Sequence, residues 1–260
     1  MTASLPALKM PPSWQPARLL IIAGSDSGGG AGIQADIKTA SAFGVYAATA
    51  ITAVTVQNTM GVTAVHPIPA DVVAGQISAV LDDIGADAIK IGMLANADIC
   101  RSVTAAIADV SVPIVLDPVM VATSGDTLLE DDAISLITGQ LAPRAEVITP
   151  NLPEFDLLCG LDAPTDDARI AAAKDYVKRT GAAVALKGGH GTDVRLRNVL
   201  ITPGGLHMSE YSRIKSRHTH GTGCTFSSAI AALLARGEAL PEAIQRAGDF
   251  VHQAIVNAPG

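Results

Sequence analysis

The amino-acid sequence predicts an α/β protein in which helices cover both faces of a mainly parallel sheet. Short apolar segments alternate with Ala-rich segments of helical length along most of the chain. Several apolar segments, such as Ile114–Leu116, are continuous rather than alternating, which is typical of strands buried on both faces. No Pro-, Gly- or Ser-rich linker divides the chain, and we find no internal repeat. We therefore expect one domain over residues 18–260.

Strands are predicted at the short apolar segments and helices at the Ala-rich segments between them. The predicted strands are Leu19–Ala23, Ala48–Val56, Ala88–Ile91, Ile114–Leu116, Val147–Ile148, Ala183–Leu186 and the region Val194–Ile201. The predicted helices are Ile33–Phe43, Asp71–Asp83, Asp98–Ala108, Asp131–Leu141, Glu154–Cys159, Ala168–Thr180, Thr222–Ala235 and Pro241–Asn257. In such a sheet the ligand crevice lies beyond the carboxyl ends of the strands. The polar residues that follow each strand are therefore the candidates for chemistry.

Composition and charge exclude several classes of protein. The chain has 260 residues, of which 48% are hydrophobic and 17% charged, so it is not a mainly disordered chain. Aromatic residues make up only 3%, which argues against base-stacking nucleic-acid binders and carbohydrate platforms. The net charge of -7 opposes a nucleic acid as partner, although a small basic pocket is compatible with it.

The cysteines and the first residues predict a soluble protein of the cytoplasm. The three cysteines, Cys100, Cys159 and Cys224, form no C-x-x-C pair, so we expect neither a disulfide framework nor a structural zinc site. No apolar run reaches the roughly 18 residues of a membrane span. Residues 1–17 contain four prolines and no apolar core, so they predict a flexible lead rather than a secretion signal.

A glycine-rich segment, Gly24–Gly32, follows the first predicted strand and precedes a helix. Five glycines in nine residues allow backbone amides to approach a ligand, and the helix N-terminus adds positive potential. A flexible connection is the alternative reading. The stretch Gly30–Ala35 also matches the dinucleotide pattern G-x-G-x-x-A. However, its glycines begin too far after the first strand, and no acidic residue ends the second strand to bind a ribose. We therefore reject a nicotinamide-dependent oxidoreductase.

A second segment, Thr219–Thr225, leads into an Ala-rich helix. Gly221 and Gly223 leave the amides of the first helical turn bare, which makes an anion site. Cys224 lies in that turn, where the helix favours its thiolate. An anion site beside a base suits phosphoryl transfer to a hydroxyl. Alternatively, Cys224 packs as a small buried residue. We interpret His218 and His220 as solvated loop residues rather than metal ligands, because a bare H-x-H pair lacks further ligands.

Three further polar positions follow predicted strands. Asn151 and Glu154 have the spacing of a helix-capping box, and they could equally orient water around Mg²⁺ beside phosphates. Lys187, followed by two glycines, can reach a phosphate as a point charge. Asp117 either lies near the metal or γ-phosphate or caps a turn. Each of these signals is unspecific alone.

Together these segments resemble the hydroxymethylpyrimidine/phosphomethylpyrimidine kinases of thiamine biosynthesis, in the ribokinase-like superfamily. The resemblance runs from about Arg18 to Gly260 and rests on the order and joint presence of its motifs. These are GSDSGGGAGIQAD (Gly24–Asp36), VQNT (Val56–Thr59), KIGML (Lys90–Leu94), ITPNLPE (Ile148–Glu154), KGGH (Lys187–His190) and THGTGC (Thr219–Cys224).

The resemblance implies a three-layer α/β/α sandwich that binds ATP and Mg²⁺. The γ-phosphoryl group would pass to the hydroxymethyl group of an aminopyrimidine, and the same site would then phosphorylate the monophosphate. Cys224 would be the base, in an anion-hole turn with Gly221 and Gly223. By the same resemblance Gln57 would bind the pyrimidine, and Asn151 and Glu154 would arrange Mg²⁺ through water. The pocket would include Gly24, Asp36 and Met93, and the ATP phosphate side Lys187, Asp117, Thr219 and Thr222.

Members of this family often form dimers, so the resemblance also implies a homodimer. The chain departs from the family in its lead, residues 1–17, and in ending at Ala258–Gly260, where relatives usually continue with a short Gly-rich tail. The main alternative is a pyridoxal or pyridoxine kinase, which would use the same fold, ATP and Cys224. A non-catalytic nucleotide-binding module is a second alternative, which the intact Cys224 turn disfavours.

Overall fold

The structure, a computed structural model, describes residues 15–120, 131–188 and 195–258. Within these ranges one sheet contains nine strands: β1 (Arg18–Asp26), β2 (Tyr46–Gln57), β3 (Val62–Pro67), β4 (Ala88–Ile91), β5 (Ile114–Leu116), β6 (Val147–Ile148), β7 (Ala183–Leu186), β8 (Arg195–Thr202) and β9 (Gly205–Ser212). Their spatial order is β3-β2-β1-β4-β5-β6-β7-β8-β9. Six neighbouring strands are parallel to one another: β2, β1, β4, β5, β6 and β7. The strands β3, β8 and β9 add antiparallel pairs at the edges.

Helices cover both faces of this sheet. The helices are α1 (Gly32–Ala42), α2 (Ala70–Asp83), α3 (Ala97–Ala106), α4 (Asp131–Leu136), α5 (Leu152–Cys159), α6 (Asp166–Thr180), α7 (Thr222–Ala235) and α8 (Leu240–Val256). One core lies between the sheet and α1, α7 and α8, and the other between the sheet and α2 to α6. Side chains of β1 enter the two cores alternately, as the period of a strand requires. The sheet and its two helical layers confirm the predicted three-layer sandwich.

Helix ends follow from local chemistry. Asn96, Asn151 and Thr165 each accept a hydrogen bond from a backbone N–H in the first turn of α3, α5 and α6. Gly160 and Gly181 end α5 and α6 in the left-handed conformation that glycine adopts without strain.

The structure departs from the sequence prediction in two strands and one helix. β3 and β9 were not predicted, because most of their side chains are exposed and carry no apolar run. The helix predicted over 131–141 is α4 followed by a π turn over Ile137–Leu141 and a 3-10 turn over Ala142–Arg144. Residues 1–14 of the predicted lead lie outside the described residues, as do Val194 and the last two residues of KGGH.

The order in which strands are added to the sheet reverses between β1 and β4, which are themselves parallel neighbours. The connection from β1 leads to β2 on one side, and later connections lead to β4 and onward on the other. Ligand crevices of open α/β sheets form at such a point, outside the carboxyl ends of the strands. No helix in the described ranges is long and apolar enough to cross a lipid bilayer.

Candidate active site

A cavity of about 840 Å³ opens at the carboxyl ends of the parallel strands, beside the N-terminus of α7. It brings together residues that are far apart in the sequence and that follow different strands. The predicted site residues on its wall are Gly24, Gln57, Met93, Asp117, Asn151, Glu154, Lys187, Thr219, Gly221, Thr222, Gly223 and Cys224. Asp36 is absent from that wall, contrary to the prediction.

The glycine-rich segment folds around the carboxylate of Asp26. One oxygen of Asp26 accepts from the N–H of Gly28, and the other from Gly30 and Ala31 and from the ring of His220. Burial alone would raise the pKa of Asp26, but these hydrogen bonds, with that of His220 the largest, lower it below its usual value. Three amides expected to approach a ligand are therefore occupied by a side chain of the same loop.

His220 is not the solvated loop residue that the sequence suggested. Its Nε2 lies 2.9 Å from the Asp26 carboxylate, and its side chain is only 18% exposed. The ring also lies against Gly30, where a Cβ would overlap it. His220 therefore joins the glycine-rich segment to the turn before α7.

Gly221 holds the two turns in close contact. Its φ is +80°, and a Cβ on it would overlap the carbonyl oxygen of Gly30. Only glycine fits a position that needs both this backbone conformation and this space. Within the described part of the chain, no acceptor binds the N–H groups of Gly223 and Cys224. These two groups, at the N-terminus of a 14-residue helix, can donate to an anionic ligand.

The thiol of Cys224 lies on the cavity wall, and the backbone N–H of Gly32 has a small lowering effect on its pKa. Burial raises the pKa of this thiol to about 11, and the nearby ammonium of Lys90 only partly opposes it. The expectation that the position of Cys224 favours its thiolate is therefore wrong. The cost of removing a charged sulfur from water outweighs the attraction of the nearby lysine.

Asp36 lies beneath the cavity. Its carboxylate accepts from Lys90 at 2.8 Å and from the Ser228 hydroxyl at 2.6 Å, and the side chains of Asp36 and Lys90 are fully buried. Burial on its own would lower the pKa of Lys90, but Asp36, Cys224 and Asp117 together outweigh it, so this pKa is raised. Lys90, rather than Asp36, reaches the cavity wall, because the aspartate is turned toward α7.

Asp117 and Lys187 form a second pair. Lys187 donates to Asp117 at 2.8 Å, and Asp117 also accepts from the hydroxyls of Thr149 and Ser227. Burial would lower the pKa of Lys187, but Asp117 and Glu154 raise it above its usual value. The Lys187 side chain is 16% exposed and faces the cavity, so its charge is available to an anionic ligand.

Asn151 and Glu154 form the reciprocal capping box. The Asn151 side chain accepts from the N–H of Glu154 at 2.9 Å, and the Glu154 carboxylate accepts from the N–H of Asn151 at 2.7 Å. Burial raises the pKa of Glu154 to about 7, with Lys187 opposing and Asp117 adding to the shift. Both residues still line the cavity.

This donor set fits Mg²⁺ held through water. Two carboxylates, Asp117 and Glu154, lie near each other, and a cation between them would relieve their repulsion. Mg²⁺ prefers oxygen ligands and keeps several of its waters. The described residues contain no group of three His, Cys, Asp or Glu side chains that could enclose a metal without water or substrate oxygens.

Gln57 and Met93 form a neutral part of the wall. The Thr55 hydroxyl contacts the Gln57 side-chain oxygen at 2.9 Å, and the Thr52 hydroxyl donates to the Met93 carbonyl at 2.6 Å. A Cβ at Gly24 would press on the Met93 methyl group. These residues leave an amide and a thioether beside open space, which suits a flat polar ring.

Two residues of this site, Asp26 and Lys90, lie in segments that the sequence analysis singled out but received no role there. Asp26 is the last residue of β1, and a carboxylate at the start of a glycine-rich turn is a signal for hydrogen bonds to the backbone N–H groups that follow. Lys90 stands within the apolar strand Ala88–Ile91, and a charged residue in a strand buried on both faces requires a partner.

Comparison with known proteins identifies the family. Residues 26–260 match the family model described as phosphomethylpyrimidine kinase. The chain belongs to the phosphomethylpyrimidine kinase family. It is 47% identical over 237 residues to the hydroxymethylpyrimidine/phosphomethylpyrimidine kinase of Rhizobium meliloti, which covers 91% of this chain and 89% of that relative.

Solved structures of the same fold come from two kinds of vitamin kinase. The phosphomethylpyrimidine kinase of Clostridium difficile superposes with a TM-score of 0.80 at 36% identity, covering 92% of this chain and 99% of that one. The pyridoxal kinase of Bacillus subtilis, solved as an ADP complex, gives a TM-score of 0.85 at 38% identity, covering 95% of this chain and 94% of that one.

Gly221→Ala tests the contact between the two turns. The added methyl group meets the Gly30 carbonyl, so we expect the free energy of unfolding to fall by about 2–4 kcal/mol and kinase activity to fall by about 100-fold. Gly237→Ala is the matched control, because Gly237 has a φ of +81° and open space around it. Its expected loss is only about 1–2 kcal/mol. Urea unfolding and steady-state assays measure both; equal effects of the two substitutions contradict the contact.

Proposed function

We propose that this chain is an ATP-dependent kinase of thiamine biosynthesis that phosphorylates 4-amino-5-hydroxymethyl-2-methylpyrimidine and then the resulting monophosphate. The observation that carries the proposal is the first turn of α7. Its unbonded N–H groups and the Cys224 thiol face one cavity, which Lys187 and Gln57 also line. A donor phosphate, an acceptor hydroxyl and a ring can therefore meet there.

The donor half of the site uses Lys187 and the turn before α7. The ammonium of Lys187 binds phosphate oxygens of ATP, and the N–H groups of Gly223 and Cys224 receive the charge that develops on the transferred group. Thr219 and Thr222 complete this side. Asp117 holds Lys187 in place. Mg²⁺, arranged through water by Asn151 and Glu154, would neutralise charge between the phosphates.

The acceptor half uses Gln57, Met93 and Gly24 to hold the pyrimidine ring. The hydroxymethyl group then points at Cys224. In the first transfer a thiolate of Cys224 accepts the hydroxyl proton as the oxygen attacks phosphorus. In the second transfer the acceptor is a phosphate oxygen that is already ionised. That step depends on charge neutralisation rather than on a base.

A pyridoxal or pyridoxine kinase is the second candidate. The similarity to a solved pyridoxal kinase at a TM-score of 0.85 favours it, because that enzyme has the same fold and binds ADP. Gln57 favours the aminopyrimidine, since a ring bearing an amino group and ring nitrogens satisfies an amide that a pyridine leaves partly unpaired.

ADP release with three acceptors separates these functions. We expect the purified protein with ATP and Mg²⁺ to turn over the hydroxymethylpyrimidine and its monophosphate, with a kcat/KM for the pyrimidine at least about 100-fold above that for pyridoxal. Chelation of Mg²⁺ abolishes both transfers, and added Mg²⁺ restores them. A higher kcat/KM for pyridoxal than for the pyrimidine would assign the second function. If the protein binds ADP but forms no ADP from ATP with any acceptor, both functions are contradicted.

Cys224→Ala tests the base. We expect the first transfer to slow by about 100-fold or more and the second by less than about tenfold, because only the first acceptor has a proton to lose. Cys159→Ala is the control, since Cys159 lies at the end of α5 and is not part of the cavity wall. Separate assays with the pyrimidine and its monophosphate measure the ratio. Comparable losses in the two transfers would refute the division of roles.

We also propose that residues 18–260 act as one domain, in the cytoplasm, as a homodimer. One continuous sheet from β3 to β9 supports the single domain, and three free cysteines suit a reducing compartment. On β2, Val54 and Val56 expose 44% and 59% of their surface, which suits a contact with a second copy.

Val56→Asp tests the dimer. A charge on this strand should convert the dimer to a monomer in sedimentation equilibrium, because an interface cannot bury it unpaired. Val256→Asp, at a similarly exposed position at the end of α8, should leave the dimer intact. A monomer before any substitution would contradict the proposal.

A further inference from the structure

Two buried lysine–aspartate pairs lie under the first turns of α7, and each contacts a serine of that helix. In the first pair Asp117 accepts from Lys187 and from the Ser227 hydroxyl. In the second pair Asp36 accepts from Lys90 and from the Ser228 hydroxyl. The proposed function uses the first pair to bind phosphate. It leaves the second pair, in which both side chains are fully buried, without a task.

Stability alone does not account for the Lys90–Asp36 pair. Removing two charges from water costs several kcal/mol per ion, and well-packed apolar residues often replace such a pair without loss. Lys90 lines the same cavity wall as Cys224. Asp36 accepts from Ser228, which lies four residues after Cys224 on α7. The ammonium of Lys90 stabilises a negative charge on the sulfur. Its location therefore suggests a task in the chemistry of that sulfur.

The charged groups around Cys224 come from four segments. Lys90 is on β4, Asp36 on α1, Asp117 after β5 and Lys187 after β7, and each interacts electrostatically with the sulfur. Lys187 is 2.8 Å from Asp117 and compensates it. The other titratable pair near this turn is His220 with Asp26, and these two side chains are hydrogen-bonded to each other. Lys90 is thus the cation, and Asp36 the anion, that can alter the sulfur's charge.

We infer that the Lys90–Asp36 pair sets the charge state of the Cys224 sulfur. Lys90 acts as a positioning residue that stabilises the thiolate, and Asp36 keeps Lys90 in its ammonium form while weakening its pull on the sulfur. The inference rests on the proposed role of Cys224 as base, and it adds what makes a buried thiol able to fill that role.

The proton balance of one turnover is simple. The S–H bond of Cys224 breaks and its proton passes to water in the cavity, leaving the thiolate beside Lys90. The acceptor O–H bond then breaks as the new O–P bond forms and the bond between phosphorus and ADP breaks. The hydroxyl proton forms the S–H bond again, and it returns to water before the next turnover.

Alkylation of the full-length protein without substrates tests this inference. Iodoacetamide reacts with thiolates, so its rate at Cys224, measured between pH 7 and 10 by mass spectrometry of the peptide that carries it, reports the thiolate fraction. Lys90→Met should slow this reaction by about three- to tenfold at pH 8. Asp36→Asn should accelerate it by a similar factor, because one change removes a stabilising cation and the other a destabilising anion.

Ser228→Ala is the matched control. It removes a hydrogen bond to Asp36 without changing charge, so we expect the alkylation rate to change by less than about twofold. The double variant Lys90→Met with Asp36→Asn should react more slowly than Asp36→Asn alone. That comparison carries the test if Lys90→Met does not fold alone, since the double variant leaves no unpaired buried charge.

Shifts of opposite sign in the two single variants support the inference, because a loosened structure would expose the thiol in both and move the two rates in the same direction. Rates that move together, or a double variant equal to Asp36→Asn, would overturn it. The readout needs no phosphoryl transfer. An active Cys224→Ala enzyme would therefore refute the base while leaving the measured charge coupling intact.

Discussion

The structure depends on the contact between two glycine-containing turns that come from opposite ends of the chain. Gly221 lies against the Gly30 carbonyl in a backbone conformation that only glycine adopts easily. Asp26 fixes one turn through three backbone N–H groups and reaches the other through His220. This contact places the N-terminus of α7 at the carboxyl ends of β1 and β4. Without it the anion site and the acceptor pocket would not share one cavity.

Beneath that cavity, two buried carboxylates have similar hydrogen-bond partners. Each of two buried carboxylates, Asp36 and Asp117, is held by one lysine and one α7 hydroxyl. The two lysines follow or belong to parallel strands and direct their charge at the first turn of α7. Both ammonium groups line the cavity, and the two serine hydrogen bonds attach α7 to α1 and to the segment that follows β5.

The sequence predicts the parallel strands and most helices because their signals are local: apolar runs, caps and helical composition. It does not predict β3 and β9, whose exposed edge positions carry no apolar run. The site was predicted by motif, and the cavity does gather twelve of those residues. The errors concern long-range partners. Asp36 lies beneath the cavity wall because it is hydrogen-bonded to Lys90 and Ser228. His220 is mostly buried because it is hydrogen-bonded to Asp26. Burial raises the pKa of Cys224.

A crystal structure with a non-hydrolysable ATP analogue and the hydroxymethylpyrimidine would show whether the turn before α7 binds the transferred phosphate. We expect γ-phosphate oxygens within hydrogen-bond distance of the N–H groups of Gly223 and Cys224, with the acceptor hydroxyl between phosphorus and the sulfur. A γ-phosphate bound elsewhere in the cavity, or a pyrimidine whose hydroxymethyl group faces away from Cys224, would contradict it.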